Sequence, residues 1–440
     1  MTRHARQPRR SPLTVALVTL LLAVACASAA AVALRPWDEG VTADLTSVPT
    51  PTPDAVTPSP TPSPTPDPDA EFTIVAAGDV LTHQPVVSSA TRGGTIDFAP
   101  LLEPLAPWVQ GADLALCHLE VPVAPAGSRP SGYPVFGAPV EVVAGLAAQG
   151  WDGCSTASNH SVDRGFAGVV ATLDALDAAG LGHVGTARSQ VEAMAPQVYT
   201  LERAGQTITV AHLAATYGTN GMPVEPDKPW SVTRIDVPTL VEQARAARTA
   251  GADLVVASVH CCVEYQTEPT AEQAQIAQEI ADSGAVDLYI GHHAHVPQPV
   301  VRLEGGPDGT GMWVAYGLGN FLSNQDAACC SPKTDSGLLL TAHVSSPGAF
   351  AAEGREAGPV RVTGVEWTAI TVDRKGGHRV HALPEIAGGT GSLGAGEVAA
   401  RLGRVVDAAG SAAPQRTEPL TPTGGAPVVV PRPGGTAATP

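Results

Sequence analysis

A chain of 440 residues has room for two or three domains, but its terminal stretches lack domain-like composition and one core of roughly 300 residues fits better. The formal charge of −17 argues against nucleic acid or an anionic membrane surface as the main partner and suits an acidic globule that holds cations. With aromatics at only 4%, the core has to be built from Val, Leu, Ile and Ala.

Residues 1–10 carry Arg3, Arg6, Arg9 and Arg10 without an acid, and 13–34 form an uncharged, mostly apolar run closed by Arg35. That run is long enough to span a bilayer, and the basic residues ahead of it place the N-terminus in the cytoplasm. An N-terminal anchor over 1–35, with the remainder extracellular, is the expectation. A signal cleaved near Ala27-Ser28-Ala29 and a lipoprotein built on Cys26 are the alternatives, and all three export the domain. Residues 36–70 form a linker; from 48 to 68 Pro alternates with Thr, Ser and Asp, which predicts a disordered, extended stalk. At the far end, 385–440 is rich in Gly, Ala, Pro and Thr with one weak helical patch at 397–409, which predicts a mostly disordered tail. The folded domain is then 71–384.

Within it, apolar runs alternate with helical spacings. Strands are expected at 72–77, 112–117, 153–157, 207–213, 254–259 and 286–290, with helices at 166–179, 237–250 and 269–281. Gly180 and Gly251 close the first two helices, and Thr270 caps the third. Further strands at 312–316, 337–344 and 361–370 have little helix between them. Strand-helix alternation predicts an α/β layered fold, with a second sheet or an antiparallel edge late in the chain.

Five of these strands end in metal-compatible residues: Asp79, Glu120, Asn159, His260, and the loop Gly291-His292-His293-Ala294-His295. Imidazole nitrogens and carboxylate oxygens are common ligands of divalent metals with open positions, and a bridging carboxylate is typical of a metal pair. Strand ends are also where parallel sheets place ligands. His160 differs in role: Asp163 stands ready to fix its tautomer, and a histidine so held suits a general acid. Glu264 and Tyr265 follow His260 closely and read as supporting or substrate contacts. The Gly-punctuated loop 216–221 is a candidate substrate lid.

In order along the chain stand Gly78-Asp79, His118-Leu119-Glu120-Val121-Pro122, Ser158-Asn159-His160-Ser161-Val162-Asp163, His260 with Glu264-Tyr265, His293-Ala294-His295-Val296 and Gly319-Asn320-Phe321. This ordered set resembles the CapA family, the poly-γ-glutamate capsule biosynthesis proteins, over about 72–345. The resemblance implies a domain similar to calcineurin-like metallophosphatases, a four-layered α/β/β/α sandwich with a two-metal site. It implies metal ligation by Asp79, Glu120 (as the bridging acid), Asn159, His260, His293 and His295, with Mn, Fe or Zn as the ion and His160 as the acid-base residue. Three departures stand out: His118 replaces the family's usual Asn, Cys261-Cys262 replaces an aromatic-Gly pair, and Leu81 occupies the place where true metallophosphatases carry a further histidine, with His83 out of register.

The implied function is an exported, membrane-tethered protein of capsule or poly-γ-glutamate assembly or export. Its expected partners are an anionic polymer such as poly-γ-glutamate or a phosphoester substrate, the membrane, and other capsule-synthesis subunits. A general extracellular phosphoesterase or nucleotidase and a non-catalytic polymer-binding scaffold are the alternatives; Leu81 is what separates metal binding from turnover. Six cysteines fall in the domain, an even number in an oxidising setting. The doublets Cys261-Cys262 and Cys329-Cys330 are expected at one rim with a bridge between them, while Cys117 and Cys154 are either a pair or buried thiols.

Overall fold

The computed structural model describes residues 65–435; the apolar run at 13–34 and most of the linker lie outside them. Among the described residues no helix is long and apolar enough to cross a membrane.

The strands in chain order begin with β1 (Ala70–Val80), β2 (Leu114–Leu119), β3 (Gly153–Ser155), β4 (Gly182–Val184) and β5 (Gln197–Arg203). Next come β6 (Gln206–Thr216), β7 (Leu254–His260), β8 (Leu288–His292), β9 (Val300–Leu303) and β10 (Met312–Ala315). The last are β11 (Asn320–Leu322), β12 (Ser336–Ser346), β13 (Arg361–Asp373), β14 (Arg379–Ala382) and β15 (Val428–Val430). The longer helices are α1 (Glu141–Gln149), α2 (Gly165–Ala178), α3 (Val237–Thr249), α4 (Ala271–Asp282) and α5 (Ala395–Ala409).

Residue alternation sets the layers. In β1, Phe72, Ile74 and Ala76 point to one core while Val75 and Ala77 point to another. In β7, Leu254 and Val256 share the first of these cores while Val255, Ala257 and Val259 face a third. Strands buried on both faces have to be covered on both. One sheet runs β14-β13-β12-β1-β2-β3-β4, with β11 beside the end of β1; the other runs β9-β10-β8-β7-β6-β5-β15. Their inner faces share Phe72, Ile74, Leu254, Val256, Leu288 and Leu340. On the outer face of the first sheet lie Val142, Leu146, Val169 and Leu173 of α1 and α2; on that of the second lie Leu240, Ala244, Ile276 and Ile280 of α3 and α4. The result is the expected four-layered α/β/β/α sandwich. Helix signals were sound locally: Thr270 caps α4 through a reciprocal capping box with Gln273, and Asp236 caps α3 by accepting from Thr239 N–H.

β1 to β4 run parallel, as do β6, β7, β8 and β10. Their C-terminal ends lie together, and this is what gathers the polar strand ends.

Two expectations are corrected. The segment 385–435 is docked on the domain and is not a disordered tail. Val398, Val405 and Ala409 of α5 enter the inter-sheet core, Trp367 Nε1 donates to Ala413 O at 3.0 Å, and β15 pairs with β5. Much of the docking is polar and invisible to a count of apolar residues: Asp113 accepts from Thr423 N–H at 2.7 Å and from Arg203 Nη2 at 2.8 Å, and Arg432 is buried against the carbonyls of His183 and Thr186. The cysteine doublets, for their part, do not bridge to each other. The structure pairs Cys261 with Cys262, Cys329 with Cys330, and Cys117 with Cys154. Cys261 and Cys262 turn toward the apolar layer under α3 and α4, whereas Cys329 and Cys330 line a cavity. Cys117 and Cys154 are direct cross-strand partners on β2 and β3.

Candidate functional site

β1 has to end close to its neighbours. A Cβ on Gly78 would overlap the Gly319 carbonyl oxygen, and one on Gly291 would overlap that of Tyr316. These glycines let β1 and β8 deliver Asp79 and the histidine loop to one point. Asp79 is fully buried, with Oδ2 2.9 Å from His295 Nδ1 and Oδ1 3.3 Å from His292 Nδ1. Glu120, just beyond β2, is equally buried, its Oε1 3.7 Å from His295 Nε2.

The histidine loop is held in a conformation that ordinary residues avoid, with φ at +84° for His293 and +55° for His295. Such backbone persists only where its surroundings over-determine it. Here His293 N–H donates to Asp79 Oδ2 (3.3 Å), Ala294 O accepts from Tyr265 N–H (2.8 Å), and His295 O accepts from Asn320 Nδ2 (3.3 Å). Gly319-Asn320-Phe321 therefore braces the loop.

The other candidates form a hydrogen-bonded chain. His260 Nε2 lies 2.9 Å from Asn159 Oδ1, and His260 Nδ1 lies 3.0 Å from His118 Nε2. Ser155 Oγ lies 2.7 Å from His118 Nδ1, and Asn159 Nδ2 donates to Asn220 Oδ1 (3.2 Å). The rings of His260 and His293 are 4.7 Å apart. The structure thus brings Asp79, Glu120, Asn159, His260, His293 and His295 together. His160 stands at the cavity wall with Nδ1 2.7 Å from Asp163 Oδ2, a carboxylate fixed by Phe136 N–H at 2.7 Å.

Three residues of the named segments gain contacts that the sequence does not assign. His118 orients His260, His292 stacks on His118 with centroids 4.0 Å apart, and Tyr217 from the 216–221 loop lies 4.7 Å from the His293 ring. Of the two roles open to His118, an added ligand or a replaced hydrogen bond, the structure shows the hydrogen bond to His260 and also sets the ring beside Asp79 and His260. His83 donates nothing to the acids: its Nδ1 accepts from Asn324 N–H at 3.3 Å.

The electrostatics describe a hole shaped for positive charge. Burial should raise Asp79, yet contacts with His292 and His295 hold it well below the usual carboxylate range. Burial pushes Glu120 well up, offset only in part by His295. Burial lowers His118 and His260 well below their ordinary value and His293 to about 4, so these imidazoles are neutral, as metal ligation requires. His295 alone goes up: burial opposes its charge, but Glu120, Asp79 and Glu264 outweigh it. Meanwhile both Glu120 oxygens and His293 Nδ1 are buried without hydrogen-bond partners, and the Nδ1 atoms of His292 and His295 have Asp79 alone beside them. Buried polar atoms are nearly always paired, and a divalent cation would satisfy this set together. Three overlapping triads fit an ion: Asp79-Glu120-His295, Asp79-His118-His260 and Glu264-His293-His295.

A cavity of about 700 Å³ opens over the site, lined by His160, Tyr133, Phe136, Tyr265 and Gln325 among others, with no Lys or Arg among its described lining residues.

Comparison with known proteins adds relatives. The family model described as bacterial capsule synthesis protein PGA_cap matches residues 73–325. The chain is 30% identical over 179 residues to the PGA biosynthesis protein CapA of Bacillus subtilis, covering 39% of this chain and 42% of that protein. It is 24% identical over 238 residues to a probable polyglutamine synthesis accessory protein of Mycobacterium tuberculosis, covering 50% and 61%. The matches thus span about half the length of these curated relatives. Among solved structures, the NAD nucleotidase of Haemophilus influenzae aligns over 77% of this chain and 62% of its own at 14% identity and a TM-score of 0.43. The calcineurin-like phosphoesterase YfkN of Bacillus subtilis aligns over 77% and 97% at 16% identity and a TM-score of 0.38.

Proposed function

The chain belongs to the bacterial capsule synthesis family PGA_cap, and on that footing we propose that it serves the assembly or export of a capsule polymer of the poly-γ-glutamate kind through a divalent-metal site. The observation that carries the metal reading is Glu120, fully buried with both carboxylate oxygens unpartnered and facing His295. An isolated buried carboxylate is costly, and a cation removes that cost. Asp79, Glu120, Asn159, His260, His293 and His295 would hold Mn, Fe or Zn. Bound there, such ions polarise a scissile group and supply hydroxide near neutral pH.

The remaining residues have roles of their own. Asp163 can hold the Nδ1 proton of His160, so that the ring, once also protonated at Nε2, can hand that second proton to a leaving group in the cavity. Asn220, bonded to Asn159, brings the 216–221 loop against the site. An anionic polymer meets no Lys or Arg along the described cavity wall, so its carboxylates draw on the cations for attraction. Tethering to the cell membrane through residues 13–34, an extracellular domain, and association with other capsule-synthesis subunits complete the proposal.

Metal analysis of the purified protein tests it. Mn, Fe or Zn at one equivalent or more is expected, and none above background would sink the reading. Incubation with poly-γ-glutamate and with a generic phosphodiester then separates the roles. Binding or cleavage of the polymer supports the capsule reading. Phosphodiester hydrolysis that falls about 10²–10⁴-fold in His160→Ala, with the polymer untouched, makes the protein a general phosphoesterase. Metal uptake with polymer binding and no turnover leaves a scaffold.

A further inference from the structure

We propose that Glu264 supplies a cation ligand in place of the histidine displaced by Leu81, so that Glu264, His293 and His295 hold one ion on the cavity side of the site. The inference rests on the metal reading above and deepens it.

Leu81 follows Asp79 by two residues, is buried, and lines the same cavity as His295 and Glu264. A leucine offers no lone pair, so the end of β1 contributes Asp79 alone to the candidate ligand groups. Glu264 reaches the vacated side from the loop after β7. Its Oε1 lies 3.6 Å from His295 Nε2, and one ligand atom each from Glu264, His293 and His295 falls within 4.8 Å of the other two. That 3.6 Å is too long for a sound hydrogen bond. It matches two ligand atoms on one ion, because bonds of about 2.0–2.2 Å at tetrahedral or octahedral angles set neighbours roughly 3.0–3.6 Å apart. Glu120 Oε1 stands at a similar 3.7 Å from the same nitrogen, so His295 Nε2 sits between two carboxylates and hydrogen-bonds to neither.

The loop that carries Glu264 is built to hold it there. Tyr265 N–H donates to Ala294 O at 2.8 Å, Tyr265 takes a φ of +65°, and its hydroxyl accepts from Gln325 Nε2 at 3.4 Å. This fastens Glu264 to the histidine loop itself. No Lys or Arg among the described residues pairs with Glu264; its ion-pair contact is His295. Its side chain is 38% exposed, whereas Asp79 and Glu120 are fully buried. A carboxylate at the solvent edge closes an ion's shell without the desolvation penalty that a third buried acid would bring.

Titration of the metal-stripped, full-length protein with Mn²⁺ decides the matter by heat and by bound metal, with no assay of activity. About two equivalents are expected for the unaltered protein. Glu264→Gln should weaken one of them about 10–100-fold and leave the other in place. Glu268→Gln, an exposed acid of the same loop, should change neither. Adding Leu81→His to Glu264→Gln should restore the lost equivalent by returning a ligand from β1. Unchanged binding in Glu264→Gln overturns this assignment alone, as does loss of both equivalents without rescue by Leu81→His. Absence of uptake by the unaltered protein overturns the metal reading with it.

Discussion

The two sheets bring unlike chemistry to one place. From the first come the buried acids Asp79 and Glu120, the amide of Asn159, and His118 and His160; from the second come His260, His292, His293 and His295. Neither half makes a site alone, since Asp79 would lose the histidines that lower it and His295 the carboxylates that raise it. The same first sheet shows what happens without that partner. Asp152, just before β3 and away from the histidines, accepts one bond from Ala115 N–H at 2.7 Å. Burial pushes it up to about 7, while Asp79 is driven down. Between these two aspartates the facing histidines decide the charge, whereas at Glu120, with His295 at 3.7 Å, burial still wins.

The contrast can be broken most violently from the second sheet. Gly291→Ala places a Cβ on the Tyr316 carbonyl and should destabilise the fold by about 4 kcal/mol or more, read as loss of soluble protein or of the thermal transition. A smaller and sharper test compares the halves directly. If the acids set the charge of the site, Asp79→Asn should weaken Mn²⁺ binding about 100-fold and His293→Ala only about tenfold; the reverse order in titration would mean that the imidazoles dominate. The mildest test concerns the lone acid. Asp152 has a folded pKa of about 7 against about 3.9 unfolded, so the folded state binds more protons between those values. Its contribution therefore erodes stability as pH rises from about 4 to 7. Tyr199, raised by burial and then by Asp152, stays neutral there. Asp152→Asn should gain about 1–4 kcal/mol over the unaltered protein at pH 8 and little at pH 4 in urea melts; an equal gap at both would show that Asp152 is not the outlier described.

Much of the layered fold was legible because buried parallel strands read as continuous apolar runs, and β1, β7 and β8 did so. β5 was not: its inward-facing residues include Gln197, which accepts from His183 N–H, and Arg203, which pairs with Asp113. Polar groups turned inward break the alternation that marks a strand. The tail failed for a related reason, because Thr423 and Arg432 anchor it by hydrogen bonds that no hydropathy pattern encodes. In the site, residues at strand ends were readable from position. His118 and His292 were harder, since their value lies in touching other histidines across the gap between sheets. Glu264 lay in plain view beside His260, but only distances set it against His295.

The pairing of β15 with β5 has a consequence for the molecule's manners in company. β5 is the last strand of the main chain path in its sheet, and its outer rim of N–H and C=O groups would invite a strand from any passing chain. Val428, Val429 and Val430 occupy that rim from within, bonded opposite Thr200, Tyr199 and Val198. The C-terminal segment is thus a selvedge, a sewn border laid along the open rim of β5.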